Sequence, residues 1–398
     1  MTTVETTYAA TRCIYDADSH LMELPGWLEE FADPGDRELL RPLSLGKAGA
    51  LADQAIRRAE ERKGDGAAAV ALEAELLTAK GWAALGAFDS IERTRALDLL
   101  GFQRQFVFST FAPTQFVGDD ADLLWAGVRS HNRAMGAWCA DDPRLIGVAH
   151  LPLTDAEQAV RALDEAIDFG CGAVHVPSAP PRTHAPTHPD LDPVWARIED
   201  AGLPLLLHLG GQGRMIPSGF HKNGRPVSDF LGGGENVRAK DVVAMHVGPE
   251  TFASAFILDG MFDRFPQLML GIIEQGAEWV ASWPRRLDRI AGTFARTEPT
   301  LGSLSLKPSE YIRRNVRVTP FPGEDVGWLI EQCGPEVFLF SSDYPHPEGG
   351  RDPIRKFEAT MADVPDDAKD RFYWQNMADL LREPVTRPAR HAAAPPAG

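Results

Sequence analysis

The chain has 398 residues, of which 44% are hydrophobic and 24% are charged, a composition typical of a globular protein that buries its own core. Its formal net charge of −17 opposes binding to nucleic acid or to an anionic membrane surface. The four cysteines form no C-x-x-C pair, and the sequence shows neither a secretory signal nor an apolar run of membrane-spanning length. We therefore expect a cytoplasmic protein without disulfides.

Short runs rich in Val, Ile, Leu and Phe recur along the chain, separated by stretches with helical periodicity. Eight such runs predict eight strands, at residues 13–18, 105–108, 145–151, 173–176, 204–208, 267–274, 315–319 and 337–341. Eight strands alternating with helices favour an α/β fold of the closed (β/α)8 type, a TIM barrel, over an open doubly wound sheet. The dinucleotide-binding open sheet is further disfavoured because no G-x-G-x-x-G follows the first run.

One catalytic barrel domain then accounts for residues 1–382. Within it, residues from about 32 to 100 are predicted to be a helical insertion after the first strand. Decoration of the barrel, a lid and a subunit contact all stay open as roles for this insertion. The Pro- and Ala-rich residues 383–398 are predicted to be a disordered tail.

Residues of metal-ligand type stand at the ends of three predicted strands. Asp18 and His20 close the first run in DADSH, His208 ends the fifth in PLLLHLGG, and Asp343 follows the eighth in VFLFSSDYPHPEGG. Barrel enzymes place their active sites at the carboxyl ends of the strands, and imidazoles and carboxylates bind divalent metals. One such residue alone is more often structural, but three strand ends together favour a metal site.

The motifs DADSH, LLLHLGG, FPQLMLGIIEQGAEWV and FLFSSDYPHPEGG, followed by FYWQNMADLL, resemble the amidohydrolase superfamily from about residue 13 to 382. The similarity is to the amidohydrolase-related branch that contains aminocarboxymuconate-semialdehyde decarboxylase and γ-resorcylate decarboxylase. It implies one divalent metal held by Asp18, His20, His208 and Asp343. Relatives with two metals carry a carboxylated lysine on the fourth strand, whereas GAVHVPSA has none. We expect zinc, with manganese and iron as alternatives.

The chain departs from this branch at the end of the sixth predicted strand, where the decarboxylases carry a histidine and this sequence has Glu274. For Glu274, acid–base catalysis, metal binding and orientation of a basic substrate group all stay open. His246, in the predicted helix before that strand, is the candidate to supply the missing imidazole. A packed or solvated helix histidine is its alternative role.

The candidate substrate-binding residues are Trp279, Tyr344 and His346. Core packing is the alternative for Trp279, and His346 either hydrogen-bonds a ligand carboxylate or serves the Pro-flanked turn that also contains Tyr344. We interpret His131 and His150 as structural or exposed residues, and His175 as a core or rim histidine.

The resemblance supports two reactions of a small organic substrate. In hydrolysis of a C–N or C–O bond, Asp343 passes a proton from a metal-activated water to the leaving group. In non-oxidative decarboxylation of an aromatic or unsaturated acid, Asp343 or His246 protonates the carbon that loses carbon dioxide. The absent strand-six histidine favours hydrolysis, and the retained ligand residues disfavour a barrel without catalysis. We also expect a homodimer.

Overall fold

A computed structural model describes residues 7–45, 49–62, 65–210, 216–226 and 239–385. Within these ranges eight short strands form one parallel sheet in the order β1-β3-β4-β5-β6-β7-β8, with β2 also paired to β3. The strands are β1 Tyr15–Asp16, β2 His20–Leu21, β3 Arg104–Ser109, β4 Leu145–His150, β5 Ala173–His175, β6 Leu205–Leu207, β7 Leu270–Ile272 and β8 Val316–Val318.

The segment 337–344 closes this sheet into a barrel between β8 and the first strands. On one side the Leu339 N–H donates to the Val318 carbonyl at 3.0 Å, and on the other the Ala17 N–H donates to the Phe340 carbonyl at 3.0 Å. Each of the eight predicted runs thus contributes to the barrel wall. Strands β1 and β2, which both pair with β3, together take the place of one barrel strand. The predicted α/β barrel is confirmed.

Helices alternate with the strands along the chain, and none in the described ranges combines the length and hydrophobicity that a membrane crossing requires. The α-helices are α1 Trp27–Phe31, α2 Gly49–Arg62, α3 Gly66–Ala74, α4 Ser90–Leu100, α5 Pro113–Phe116, α6 Ala121–Cys139, α7 Ala156–Asp168, α8 Asp192–Ala201, α9 Ala239–Ala244, α10 Val247–Leu258, α11 Met261–Arg264, α12 Trp283–Phe294, α13 Pro299–Ser303, α14 Pro308–Asn315, α15 Val326–Cys333, α16 Pro353–Thr360, α17 Asp366–Asp370 and α18 Asn376–Leu380. A π-helical turn, Arg371–Gln375, joins the last two.

Helix α7 shows how local sequence produces these elements. The Asp155 carboxylate caps its first turn by accepting from the Gln158 N–H at 3.0 Å. The helix buries Leu163 and small alanines on one face, and the chain turns away from it at Gly170, whose φ of 91° suits glycine.

Part of the predicted insertion packs directly beside the strand ends. The Trp82 ring stacks on Phe111, which follows β3, with ring centres 5.2 Å apart and planes within 5°. The Gly81 N–H donates to the Pro345 carbonyl at 3.0 Å. These contacts place the insertion next to the predicted metal site. The predicted disordered tail lies, from residue 386 onward, outside the described residues.

Candidate metal centre

Four buried side chains bring their ligand atoms within 4.8 Å of one another: Asp18, His20, His208 and Glu274. The Asp18 Oδ1 atom lies 3.3 Å from Nε2 of His20 and 3.3 Å from Nε2 of His208. An oxygen of Glu274 lies 3.5 Å from the same nitrogen of His208. The first three were predicted as ligands, and Glu274, predicted as a catalytic residue with metal binding as an alternative, joins them.

A second buried group of potential ligands shares His20 with the first and adds Asp343 and His346. The Asp343 Oδ1 atom lies 3.6 Å from His20 Nε2 and 3.1 Å from His346 Nδ1. The His346 ring stacks on His20 at 3.9 Å, and its Nε2 atom lies 3.1 Å from the Thr110 hydroxyl. His346 therefore bridges the carboxylate of Asp343 and the end of β3.

This arrangement fits a divalent cation. Both ring nitrogens of His20 and Oδ1 of Asp343 are buried, and none of the three makes a hydrogen bond of good geometry within the described residues, although Asp18 and His346 approach to 3.3 and 3.1 Å. Leaving buried polar atoms unsatisfied costs free energy, which a bound cation would offset. Two imidazoles with carboxylate oxygens form a donor set suited to zinc, manganese or iron. Asp18, His20 and His208 would hold the ion, with Glu274 or Asp343 completing the set.

Burial sets the protonation of the ligand groups. It lowers the pKa of His20 to about 3, so the imidazole is neutral at neutral pH and presents a lone pair. Burial alone raises the pKa of Asp18, but the contacts with His20 and His208 outweigh it and hold the pKa below its ordinary value. For Asp343, burial raises the pKa to about 6 in spite of the neighbouring His346.

A buried polar network positions the strand that carries these ligands. Asp16, at the end of β1, accepts from the Ser342 hydroxyl at 2.6 Å, the Ser342 N–H at 2.8 Å and the Gln105 amide at 2.8 Å. The guanidinium of Arg93 in α4 donates to Gln105 at 3.0 Å and to the His20 carbonyl. The network joins the first strand to β3, to segment 337–344 and to the insertion.

Two residues of the ligand groups have a left-handed backbone. Glu274 has φ 57° and Asp343 has φ 51°, a region that few residues other than glycine adopt. The Glu274 N–H donates to the Thr319 hydroxyl at 2.9 Å, and the Asp343 N–H donates to the Asp18 carbonyl at 2.9 Å. Such outliers cluster at functional sites, where surrounding contacts maintain them.

A cavity of about 320 Å³ adjoins the ligand groups and is lined by His20, His208 and Phe108 among others. The Phe108 ring lies 4.1 Å from that of His208. The other imidazoles that line it are those of His131, His150 and His175. The sequence interpretation gave none of these three a role in the site. For His150 and His175 a signal was present, because each stands one residue before the end of a predicted strand; His131 lies in the middle of α6 and offered none.

Three predicted site residues lie outside both ligand groups and do not line this cavity. His246 pairs with Glu250 at 3.6 Å and stacks on Trp279 with ring centres 5.7 Å apart. The Tyr344 ring is fully buried, and its hydroxyl donates to the Leu85 carbonyl at 2.6 Å. The catalytic role of His246 and the substrate contacts of Trp279 and Tyr344 stay predictions.

Solved structures share this fold at low sequence identity. An amidohydrolase, map2389c from Mycobacterium avium subsp. paratuberculosis K-10, has a TM-score of 0.69 and 22% identity, covering 93% of this chain and 99% of its own. The 5-carboxyvanillate decarboxylase LigW from Sphingomonas paucimobilis has a TM-score of 0.60 and 21% identity, covering 94% and 100%. A dihydroxybenzoic acid decarboxylase from Polaromonas sp. JS666, with bound manganese and the inhibitor 2-nitroresorcinol, has a TM-score of 0.59 and 16% identity, covering 94% and 97%.

No curated protein matches the chain in sequence. The family model described as Amidohydrolase, in contrast, matches residues 15–382, a span that contains every barrel strand and both groups of candidate ligands. The chain therefore belongs to the amidohydrolase family.

Proposed function

We propose that this protein catalyses the non-oxidative decarboxylation of a hydroxyl-substituted aromatic carboxylic acid with the help of one divalent metal. The observation that carries the proposal is the cavity beside the ligand groups, because it is walled by the Phe108 ring, imidazoles and apolar side chains such as Val148 and Pro177. At about 320 Å³ it exceeds the roughly 150 Å³ of a cavity that admits benzene. A small aromatic acid fits this space.

Surroundings of low polarity favour loss of carbon dioxide, because the charge of the carboxylate leaves the carboxyl group as the C–C bond breaks. A divalent ion, when bound, would bind the carboxylate and a neighbouring hydroxyl oxygen of the substrate and so hold the acid in place. His20 and His208 face the same cavity, so they would orient the acid with its carboxyl end towards the ligand groups and its ring along Phe108. Related structures add support, since two decarboxylases of aromatic acids share the fold and one carries manganese.

The reaction also needs a proton donor for the ring carbon, which keeps the electron pair of the broken bond. Asp343 suits this role because burial raises its pKa to about 6, so that it carries a proton for part of the time near neutral pH. His346, 3.1 Å from Asp343 and linked to Thr110, would return the proton after each turnover. The balance is one substrate carboxylate and one proton consumed, with one carbon dioxide and one ring C–H bond formed.

Hydrolysis, the preferred interpretation of the sequence, rested on Glu274 standing where the resembled decarboxylases carry histidine. Glu274 lies 3.5 Å from His208 inside the four-residue ligand group. A carboxylate there is available to the metal and gives hydrolysis no particular advantage.

Product analysis tests the proposal. Protein loaded with Mn²⁺ is incubated with dihydroxybenzoates and 5-carboxyvanillate, and separately with a panel of aryl esters, amides and lactones. We expect carbon dioxide from at least one acid, with the activity lost in His208→Ala and kept in His188→Ala, whose exposed imidazole lies elsewhere. Hydrolysis of the second panel without carbon dioxide from the first would overturn the proposal.

A further inference from the structure

Three buried histidines continue from the ligand groups into the cavity: His175, His150 and His131. Ring centres are 6.2 Å apart between His208 and His175, 5.2 Å between His175 and His150, and 6.1 Å between His150 and His131. None of the three belongs to a group whose atoms are close enough together to share a metal ion, within the part of the chain that the structure describes. Their hydrogen bonds decide what they can bind.

The hydrogen-bonding capacity of His131 is satisfied within the protein. The Asn132 amide is fixed by His150, since its NH₂ donates to the His150 carbonyl at 3.2 Å and its oxygen accepts from the His150 N–H at 2.8 Å. That oxygen faces His131 Nδ1 at 2.9 Å, so Nδ1 carries the proton. His131 Nε2 is then an acceptor, and it receives the Ser109 hydroxyl at 2.7 Å.

His150 and His175 differ because each has one nitrogen to spare. Their Nδ1 atoms lie 3.3 Å apart, and both Nε2 atoms are buried without a partner among the described residues. Burial and the neighbouring imidazoles lower the pKa of both rings, to about 3 for His150, so each ring carries one proton at neutral pH.

One proton per ring fixes complementary tautomers. Of the two facing Nδ1 atoms, one carries a proton and donates it to the other, which is bare. The donating ring therefore has a bare Nε2, and the accepting ring has a protonated Nε2. The pair offers one hydrogen-bond donor and one acceptor, whichever of the two rings is the donor at Nδ1.

We propose that His150 and His175 form a subsite for a substrate hydroxyl group remote from the metal-bound carboxyl group. A hydroxyl both donates and accepts, so its oxygen receives the Nε2 proton of one ring and its own proton goes to the bare Nε2 of the other. A carboxylate only accepts and would face a bare nitrogen, and a fluorine or methyl ether also has no proton to give. The inference that the ligand is an aromatic acid rests on the proposed function. The inference that the subsite selects a hydroxyl group rests on the histidine pair alone.

Binding tests this subsite without turnover. Calorimetry on the Mn²⁺-loaded protein would compare 2,4-dihydroxybenzoate with 2-hydroxybenzoates that carry fluorine or methoxy at position 4, and repeat the series at position 5. At one of these positions we expect the hydroxyl compound to bind at least tenfold more tightly than its fluoro and methoxy counterparts. These counterparts lack the hydroxyl proton and leave a buried nitrogen unpaired. The preference should disappear in His175→Phe and in His150→Phe, and persist in His188→Phe.

Equal affinities in the unchanged protein, no binding by any compound, or a preference that survives both variants would overturn the subsite. A hydroxyl preference without carbon dioxide release would support the subsite and contradict only the proposed reaction. Carbon dioxide release without a preference for the hydroxyl compound would support the proposed reaction and contradict the subsite.

Histidine ¹⁵N spectroscopy gives a second readout, the tautomers of the two rings in the unchanged protein. The pair predicts one ring protonated at Nδ1 and the other at Nε2 at neutral pH. Signals would be assigned by their loss in His150→Gln and His175→Gln, whose folding is checked by their melting temperatures. Two identical tautomers, or a charged ring, would contradict the proposal.

Discussion

Arg93 donates a hydrogen bond to the main-chain carbonyl of His20, although 73 residues separate them along the chain. Its guanidinium also donates to Gln105 and lies 5.1 Å from the Tyr344 ring. Helix α4 of the insertion therefore holds the strand that carries a candidate metal ligand. The insertion therefore helps to hold the candidate metal site in place. This role could not be inferred from the position of the insertion in the sequence.

Replacing Arg93 with methionine should lower the free energy of unfolding by about 3 kcal/mol, because it leaves buried acceptors on His20 and Gln105 without a donor. Urea denaturation followed by circular dichroism measures this loss. Arg95→Met on the same helix is the matched control, since its partly exposed ion pair with Glu73 contributes less than about 1 kcal/mol. Equal losses in the two variants would contradict the role of Arg93.

Metal binding depends on His208 if the described ligand group is the metal site. We expect about one divalent ion per chain in the unchanged protein by elemental analysis and a clear reduction in His208→Ala. Adding Mn²⁺ should raise the melting temperature of the metal-free protein because the ion binds only the folded state, and this rise should vanish in the variant. A variant that keeps its metal and its thermal response would exclude His208 as a ligand.

Acid should destabilise the protein partly through His131, whose pKa burial lowers from 6.5 to about 4. The folded state resists protonation that the unfolded state accepts, so the stability contributed by the neutral ring is complete above pH 6.5. It falls as the pH drops towards 4, by about 3 kcal/mol. His131→Gln should show a correspondingly shallower decline in unfolding free energy over this interval, whereas exposed His188→Gln should follow the unchanged protein.

Gly349 lies against the loop that carries Asp343, and a Cβ atom there would stand 1.9 Å from the Ser342 carbonyl oxygen and 3.1 Å from the Asp343 Cβ. Gly349→Ala should therefore displace Asp343 and weaken Mn²⁺ binding by about tenfold or more, as loss of a group that supports a ligand does. Titration with Mn²⁺ measures this. Gly35→Ala, with no atom within 4 Å of the added carbon, should bind normally.

The barrel and the metal ligands could be predicted from the sequence because both follow from short-range patterns. Apolar runs mark the strands, and the carboxyl ends of barrel strands converge, so residues as distant as Asp18 and Asp343 could be placed at one end. The contact between His150 and His175 was not predicted, because it depends on the register between β4 and β5, in which these two residues are paired. The place of Arg93 depends on how the insertion folds back, for which the sequence contains no periodic signal.

The left-handed turn at Glu274 limits which side chains can stand beside His208. Asparagine, aspartate and histidine adopt this conformation more readily than other residues with a side chain, whereas β-branched residues are strongly disfavoured. Histidine is thus one of the few side chains that suit the turn that Glu274 occupies. Replacing Glu274 with histidine would therefore change the side chain beside His208 while suiting the same left-handed backbone.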